Sequence, residues 1–196
     1  NEKVCKYIDI PIQHISDRIL KLIGRRGSSD EIKRVLYKLR ESIPQIAIRT
    51  SLIVGFPGEN DEDFRLLLNF VEEFKFEMLG VFTYSKEEGT PAAKMKGHIP
   101  ARIKKERYSE IMELQKGIVR EKNAGRLNKC YRTLVEGISE DGIFYYGRTY
   151  AEAPEIDGKV YFTSQFPLRT GDFADVRILD HQDYDLIGEV INESAQ

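Results

Sequence analysis

The chain of 196 residues has no tryptophan, only three methionines and two cysteines, and no apolar run approaching the roughly 18 to 20 residues that span a bilayer. A transmembrane helix is excluded on that ground. No basic start followed by an apolar stretch marks a secretory leader, and Cys5 and Cys130 are too few and too far apart for a disulfide scaffold. A cytoplasmic protein is the expectation. Neither G-x-G-x-x-G nor G-x-x-x-x-G-K-[ST] occurs, so a dinucleotide fold or a P-loop is unsupported. His98 and His181 join no metal-ligand spacing, and both cysteines read as small buried hydrophobes, Cys5 within an apolar strand and Cys130 opening a later one. No metal site is expected among these residues.

What is present is an ordinary globular composition, 41% hydrophobic and 32% charged, long enough for a core that needs no crosslink. The formal net charge of -2 conceals an asymmetry: from Arg126 onward there are seven basic and thirteen acidic residues, which leaves 23 and 19 before it. The tail carries about -6 and the front about +4. An acidic tail favours a cationic partner such as a basic protein over nucleic acid, or is simply a solvated surface.

Strand and helix signals alternate through the first hundred residues. "VCKYIDIPI" is extended with Ile8, Ile10 and Ile12 on one face, "DRILKLIGR" is a short helix, and "SSDEIKRVLYKLRES" opens with capping residues and repeats Ile32, Leu36 and Leu39. "IAIRTSLIVG", "NDEDFRLLLNFVEEFKF" with Phe64, Leu67, Leu68 and Val71 on one face, and "MLGVFTYS" repeat the cycle. This alternation predicts βα units and a parallel sheet. A helix from about Pro100 to Ala124 follows, carrying Ile111, Leu114, Ile118 and Val119. Beyond it, five short runs of period two, separated by Asp-Gly and Thr-Gly turns, predict a small antiparallel barrel of OB-like size. The predicted domains are 1–125 and 126–196.

The first three strands are too few to close a barrel. Asp9 and Gln13 stand opposite the isoleucines, and Arg49 and Ser51 alternate with Ile48, Thr50 and Leu52. A polar row on neighbouring parallel strands points to the lined concave side of a partial barrel, or to groups that satisfy one another. "GFPGE" lies at a strand's carboxyl end, where α/β folds bind ligands, and Gly55 and Gly58 allow close backbone approach. Glu59, Asp61, Glu62 and Asp63 suit the start of a helix but would repel a phosphate. A neutral or cationic ligand fits that turn better, although such a turn can be no more than a turn.

The segments "YIDIPIQHISDRILKLIGRRGSSDE", "IRTSLIVGFPGENDEDF", "GVFTYSKEEGTPAA" and "GRTYAEAPEIDGKVYF" occur in this order. Together they resemble the second half of a radical S-adenosylmethionine (SAM) methylthiotransferase followed by its TRAM domain, over almost the whole chain. Within that family the sequence is most similar to the RimO type, which adds a methylthio group to the β-carbon of an aspartate in a small-subunit ribosomal protein. The resemblance implies the carboxyl-terminal half of a partial (βα) radical SAM barrel, then a TRAM barrel. It implies SAM and two [4Fe-4S] clusters in the intact protein, the first on a C-x-x-x-C-x-x-C loop that is absent here, so that this chain alone is expected to be inactive.

Carried over position by position, the resemblance makes Gln13, His14, Arg49, Ser51, Val54, Gly55 and Phe56 candidates for contact with SAM. Val54 to Phe56 would pack against adenine, Gln13 and His14 reach the ribose or substrate, and Arg49 and Ser51 meet the methionyl carboxylate. For Arg49 a pair with Asp9 is the rival reading, for His14 a hydrogen-bonded strand end, for Tyr84 core packing. Tyr84, Ser85, Glu87 and Glu88 are the substrate-side candidates; no catalytic residue is assigned. The tRNA-modifying relatives tend to read P-x-Q-S-G and Y-S-x-R-x-G-T where this chain has "PIQHIS" and "YSKEEGT", placing Glu87 where they have arginine. That reversal disfavours RNA and favours a basic ribosomal protein held through the acidic barrel. A tRNA methylthiotransferase fragment and a noncatalytic TRAM binding module are the alternatives.

Overall fold

The computed structural model describes residues 3–192 and divides into two compact units, one of residues Ile8–Ile118 and one of the remainder. In the first, strand β1 (Tyr7–Asp9), helices α1 (Asp17–Ile23) and α2 (Ser29–Ser42), β2 (Ala47–Val54), α3 (Asp61–Phe74) and β3 (Met78–Thr83) follow one another, and helix α4 (Ala101–Ala124) crosses the boundary between units. The sheet order is β1-β2-β3, with β2 and β3 parallel. Only Tyr7–Asp9 of the first extended run is strand; it continues as a parallel bridge from Gln13 to Leu52.

Helices α1, α2 and α3 start where the sequence supplies side-chain acceptors for otherwise unpaired N–H groups, Ser16 serving α1. Ser28 and Glu31 form a capping box on α2, and Asn60 and Asp63 form one on α3. The buried face of β2 carries Ile48, Thr50, Leu52 and Val54, each at 0% exposure. Thr50 is tolerated there because its hydroxyl donates to the Ile10 carbonyl at 2.8 Å and accepts from the Ile12 N–H at 3.3 Å. Against this face pack Leu36 of α2, Phe64, Leu67, Phe70, Val71 and Phe74 of α3, and Ile111 and Ile118 of α4. Ile8, Ile10 and Ile12 join the same core, as their shared face predicts. The register pairs Arg49 with Met78, Ser51 with Gly80 and Ile53 with Phe82, so the opposite face is polar in the middle and ends on Phe82, which is 60% exposed.

The second unit is a closed barrel of β4 (Cys130–Ile138), β5 (Tyr145–Arg148), β6 (Val160–Thr163), β7 (Phe173–Gln182) and β8 (Asp185–Asn192), in the order β4-β5-β6-β8-β7. Its core is Val135, Val160, Phe162, Ala174, Val176, Ile178 and Leu186. The barrel is not wholly antiparallel as expected: β6 and β8 run parallel, because the chain crosses to β7 before returning beside β6. The cysteines are also corrected. Both are exposed, Cys5 because it precedes the short β1 and Cys130 because it starts β4 on an outward position. Arg126 binds Glu152 at 2.6 Å and Thr149 at 3.1 Å, and Glu152 in turn accepts from the Thr149 N–H at 2.8 Å. That set anchors the "GRTYAEAP" loop.

The periodicity of α3 is checked by two neighbouring leucines. Leu67→Ala, at a position with 0% exposure, is expected to destabilise by about 2–5 kcal/mol. Leu66→Ala, 50% exposed, should change stability by less than about 0.5 kcal/mol, both read by urea unfolding followed at 222 nm.

Candidate functional site

The turn after β2 is organised by one carboxylate. Gly55 (φ 74°) and Gly58 (φ 85°) bend the chain so that Glu59 folds back beneath it. Its Oε2 accepts the Gly55 N–H at 2.7 Å and the Phe56 N–H at 3.2 Å, and its Oε1 accepts Arg107 Nη1 of α4 at 2.8 Å. Glu59 and Arg107 are 2% and 5% exposed, and the other Arg107 nitrogen reaches the exposed Asp61 at 2.7 Å. Burial pushes the Glu59 carboxyl up, and outweighs Arg107 and the two backbone donors that pull it down. The turn is closed from the other side by the Gly58 N–H donating to the Gly97 carbonyl at 2.8 Å. The Lys104 stem lies where a Gly55 side chain would stand, and Lys104 Nζ donates to the Tyr84 carbonyl at 2.7 Å.

His14 lies next to this clamp with no exposure. Its Nδ1 accepts the Ser16 N–H at 2.9 Å, which places the proton of the neutral ring on Nε2. Nε2 has no hydrogen-bond partner; Glu59 Oε2 stands 3.9 Å away. Burial lowers the ring to about 4, opposed by Asp63 and reinforced by Arg107 and Arg18. Asp63 accepts the Ser16 hydroxyl at 2.6 Å, the Asn60 N–H at 3.0 Å and the Arg18 guanidinium. Burial pushes its carboxyl up, but these donors together hold it below the usual range.

The expected SAM contacts therefore fall into two groups. Gln13, Arg49 and Ser51 are half-buried, and Arg49 and Ser51 share the polar face of the sheet. Gln13 is held at φ 74° by its N–H on Ser51 and its carbonyl under Ile53, at 2.9 and 2.8 Å. Arg49 binds Asp9 at 2.8 Å, the rival partner weighed from the sequence. Val54, Phe56 and His14 are buried, and the Gly55 and Phe56 N–H groups are spent on Glu59. The polar row surrounds Gly80, with side-chain atoms of Arg49 and Phe82 within 4 Å of the space above it, and the backbone donors of the turn are already committed. Among the described residues no group of three or more His, Cys, Asp or Glu is placed to hold a metal, and no helix is long and apolar enough to cross a membrane.

On the substrate side, Tyr84 is half-buried against Phe56, with ring centroids 5.2 Å apart, while Ser85, Glu87 and Glu88 are exposed. Beside them an open groove of about 690 Å³ runs along Val81–Lys86 and the first turns of α4. Glu59 and Arg107 were missed by sequence reasoning. A glutamate four residues after Gly55 was a readable signal for a carboxylate returning to the turn, whereas nothing near Arg107 in the chain announces its partner.

Residues 1–71 match the radical SAM superfamily and residues 129–191 match the TRAM domain, one in each part of the fold. The sequence is thus that of a radical SAM chain carrying a TRAM domain. It is 62% identical over all 196 residues to ribosomal protein uS12 methylthiotransferase RimO of Acetivibrio thermocellus, covering 43% of that relative. The same-named proteins of Clostridium botulinum and Geobacter sulfurreducens are 52% and 51% identical, over 100% and 97% of this chain and 44% and 42% of their own lengths. The chain belongs to the radical SAM methylthiotransferase family, RimO type, and spans less than half the length of the curated relatives it matches. The structure of coproporphyrinogen III oxidase (HemN) from Escherichia coli aligns with 88% of the chain and 41% of its own at 16% identity and a TM-score of 0.47.

Two variants test the clamp. Arg107→Met leaves Glu59 buried without its cation and is expected to cost about 3–5 kcal/mol in urea unfolding, with part regained in Glu59→Gln/Arg107→Met. His14, lowered in the fold from 6.5 to about 4, contributes stability above pH 6.5 that is lost as pH falls toward 4. Glu59, raised in the fold, acts with the opposite sign, its contribution diminishing as pH rises above 4.5. Comparison with His14→Asn separates them. Acidification from pH 6.5 to 5 should cost the parent about 1–2 kcal/mol more than the variant.

Proposed function

We propose that this chain is the carboxyl-terminal part of an enzyme that methylthiolates the β-carbon of an aspartate in ribosomal protein uS12. The observation that carries this reading is the 62% identity to a protein of that name over all 196 residues. In this reading residues 1–125 are the later part of the radical SAM barrel with its connecting helix, and residues 126–196 are the TRAM domain. The polar face of the β1-β2-β3 sheet would hold SAM, with Gln13, Arg49 and Ser51 toward it and His14, Val54, Gly55 and Phe56 as the wall behind. Two [4Fe-4S] clusters would be held by cysteines outside this sequence, since Cys5 and Cys130 are single and exposed. Cluster and SAM together supply a radical able to take hydrogen from an unactivated carbon.

Within this chain the clamp of Glu59 and Arg107 holds the strand end rigid, so that groups along β2 keep their spacing while a ligand lies on them. Tyr84, Ser85, Glu87 and Glu88 form the substrate side. The substrate protein is basic and cytoplasmic, and the excess of carboxylates in the TRAM domain complements it. The 196-residue chain is expected to bind uS12 with an affinity that falls with salt, and at least about tenfold more tightly than an oligoribonucleotide in low-salt filter binding. Tighter RNA binding would favour a tRNA-modifying role. The activity itself is tested in the longer polypeptide reconstituted with iron and sulfide, by mass spectrometry of uS12.

A further inference from the structure

The groove beside β3 shares Tyr84 and Ser85 with the proposed substrate side, but its lysines have no role there. Lys86, Lys104 and Lys105 contribute cations, Ser85 and Tyr108 contribute hydroxyls, and among the described residues no carboxylate lines it, in a chain whose net charge is -2. Glu87 and Glu88 follow immediately in sequence but do not line it. Lys104 is committed to the Tyr84 carbonyl, while Lys86 and Lys105 are exposed and make no ion pair among the described residues. One wall is the run Val81–Lys86, at the outer side of the sheet, where among the described residues β3 pairs only with β2. The other wall is the first two turns of α4. Phe82 and Tyr108, 60% and 38% exposed, present apolar surface at the same opening.

An open strand edge offers alternating N–H and C=O groups, which a peptide backbone can match and a sugar-phosphate chain cannot. A groove between such an edge and a helix is suited to an extended peptide added as a strand. We propose that the groove takes an extended peptide segment whose acidic side chain is met by Lys86 and Lys105, and that in the intact enzyme this segment is the one bearing the target aspartate. The last clause rests on the function proposed above; the groove's preference for an acidic peptide does not. It also divides the recognition of one substrate between two charges. The basic body of the protein faces the acidic TRAM domain, and its one reacting carboxylate faces lysines.

The test uses the 196-residue chain, labelled with ¹⁵N, and two acetylated ten-residue peptides that differ only in a central Asp or Asn. The Asp peptide should bind about fivefold more tightly. It should move the amide signals of Phe82 to Lys86 and Lys105 to Tyr108, and Lys86→Glu/Lys105→Glu should erase the preference without altering the thermal melting curve. Equal affinities, absence of binding, or shifts confined to the barrel would overturn the proposal. So would tighter binding of a ten-nucleotide oligouridylate at the same residues, which would make the groove an RNA site. Turnover is not read in the binding assay, so loss of the Asp preference sinks the groove and leaves the proposed activity standing. An Asp preference in the 196-residue chain, together with unimpaired modification of uS12 by the longer enzyme carrying Lys86→Glu/Lys105→Glu, sinks the link to the target aspartate and leaves an acidic-peptide site.

Discussion

Everything near the carboxyl end of β2 depends on a single buried carboxylate accepting the donors that the strand leaves behind. A strand that stops in the interior exposes N–H groups with no ladder partner, and burying them unpaired is costly. Glu59 answers both the Gly55 and Phe56 N–H groups, and Arg107 keeps its charge tolerable in a site that excludes water. The cost of desolvating the ion pair is met by geometry, since four hydrogen bonds share the two Glu59 oxygens and the Arg107 guanidinium. The same arrangement fixes α4 to the turn, because Arg107 and Lys104 both reach it from one helix face.

From this constraint follows the division of labour across the sheet. The buried face is apolar apart from Thr50 and can support helices; the other face carries Arg49, Ser51 and Gly80 in its middle, with an Arg49 guanidinium nitrogen close above the glycine. In the proposed reading, a polar face backed by a well-packed core suits a ligand that must be held without adjustment. His14 belongs to the backing and not to the face. Its missing partner at Nε2 is a cost that the neutral ring carries more cheaply than a charged one would.

The architecture was legible where local chemistry decides it. Capping residues located α2 and α3, period-two runs located the barrel strands, and the shared face of Ile8, Ile10 and Ile12 was read correctly even though little of that run is strand. Pairings that join distant residues were not legible. Nothing in "KVYFTS" or "YDLIGEVI" announces that they lie side by side in parallel, and nothing near Arg107 points forty-eight residues back to Glu59. The cysteines misled for a related reason: an apolar neighbourhood in sequence is no guarantee of burial when the strand begins two residues later. In the candidate site, residue types and their alternation were enough to find the polar face, but not to see that the glycine turn satisfies itself.

The position of β8 between β6 and β7 bears on how the barrel comes into being. Two seams wait on the same eight-residue strand, so until residues 185–192 arrive both neighbouring strands have a bare flank. During synthesis the nascent module is therefore adhesive for as long as that last strand remains in the exit tunnel, and it becomes sealed in one event when the strand inserts.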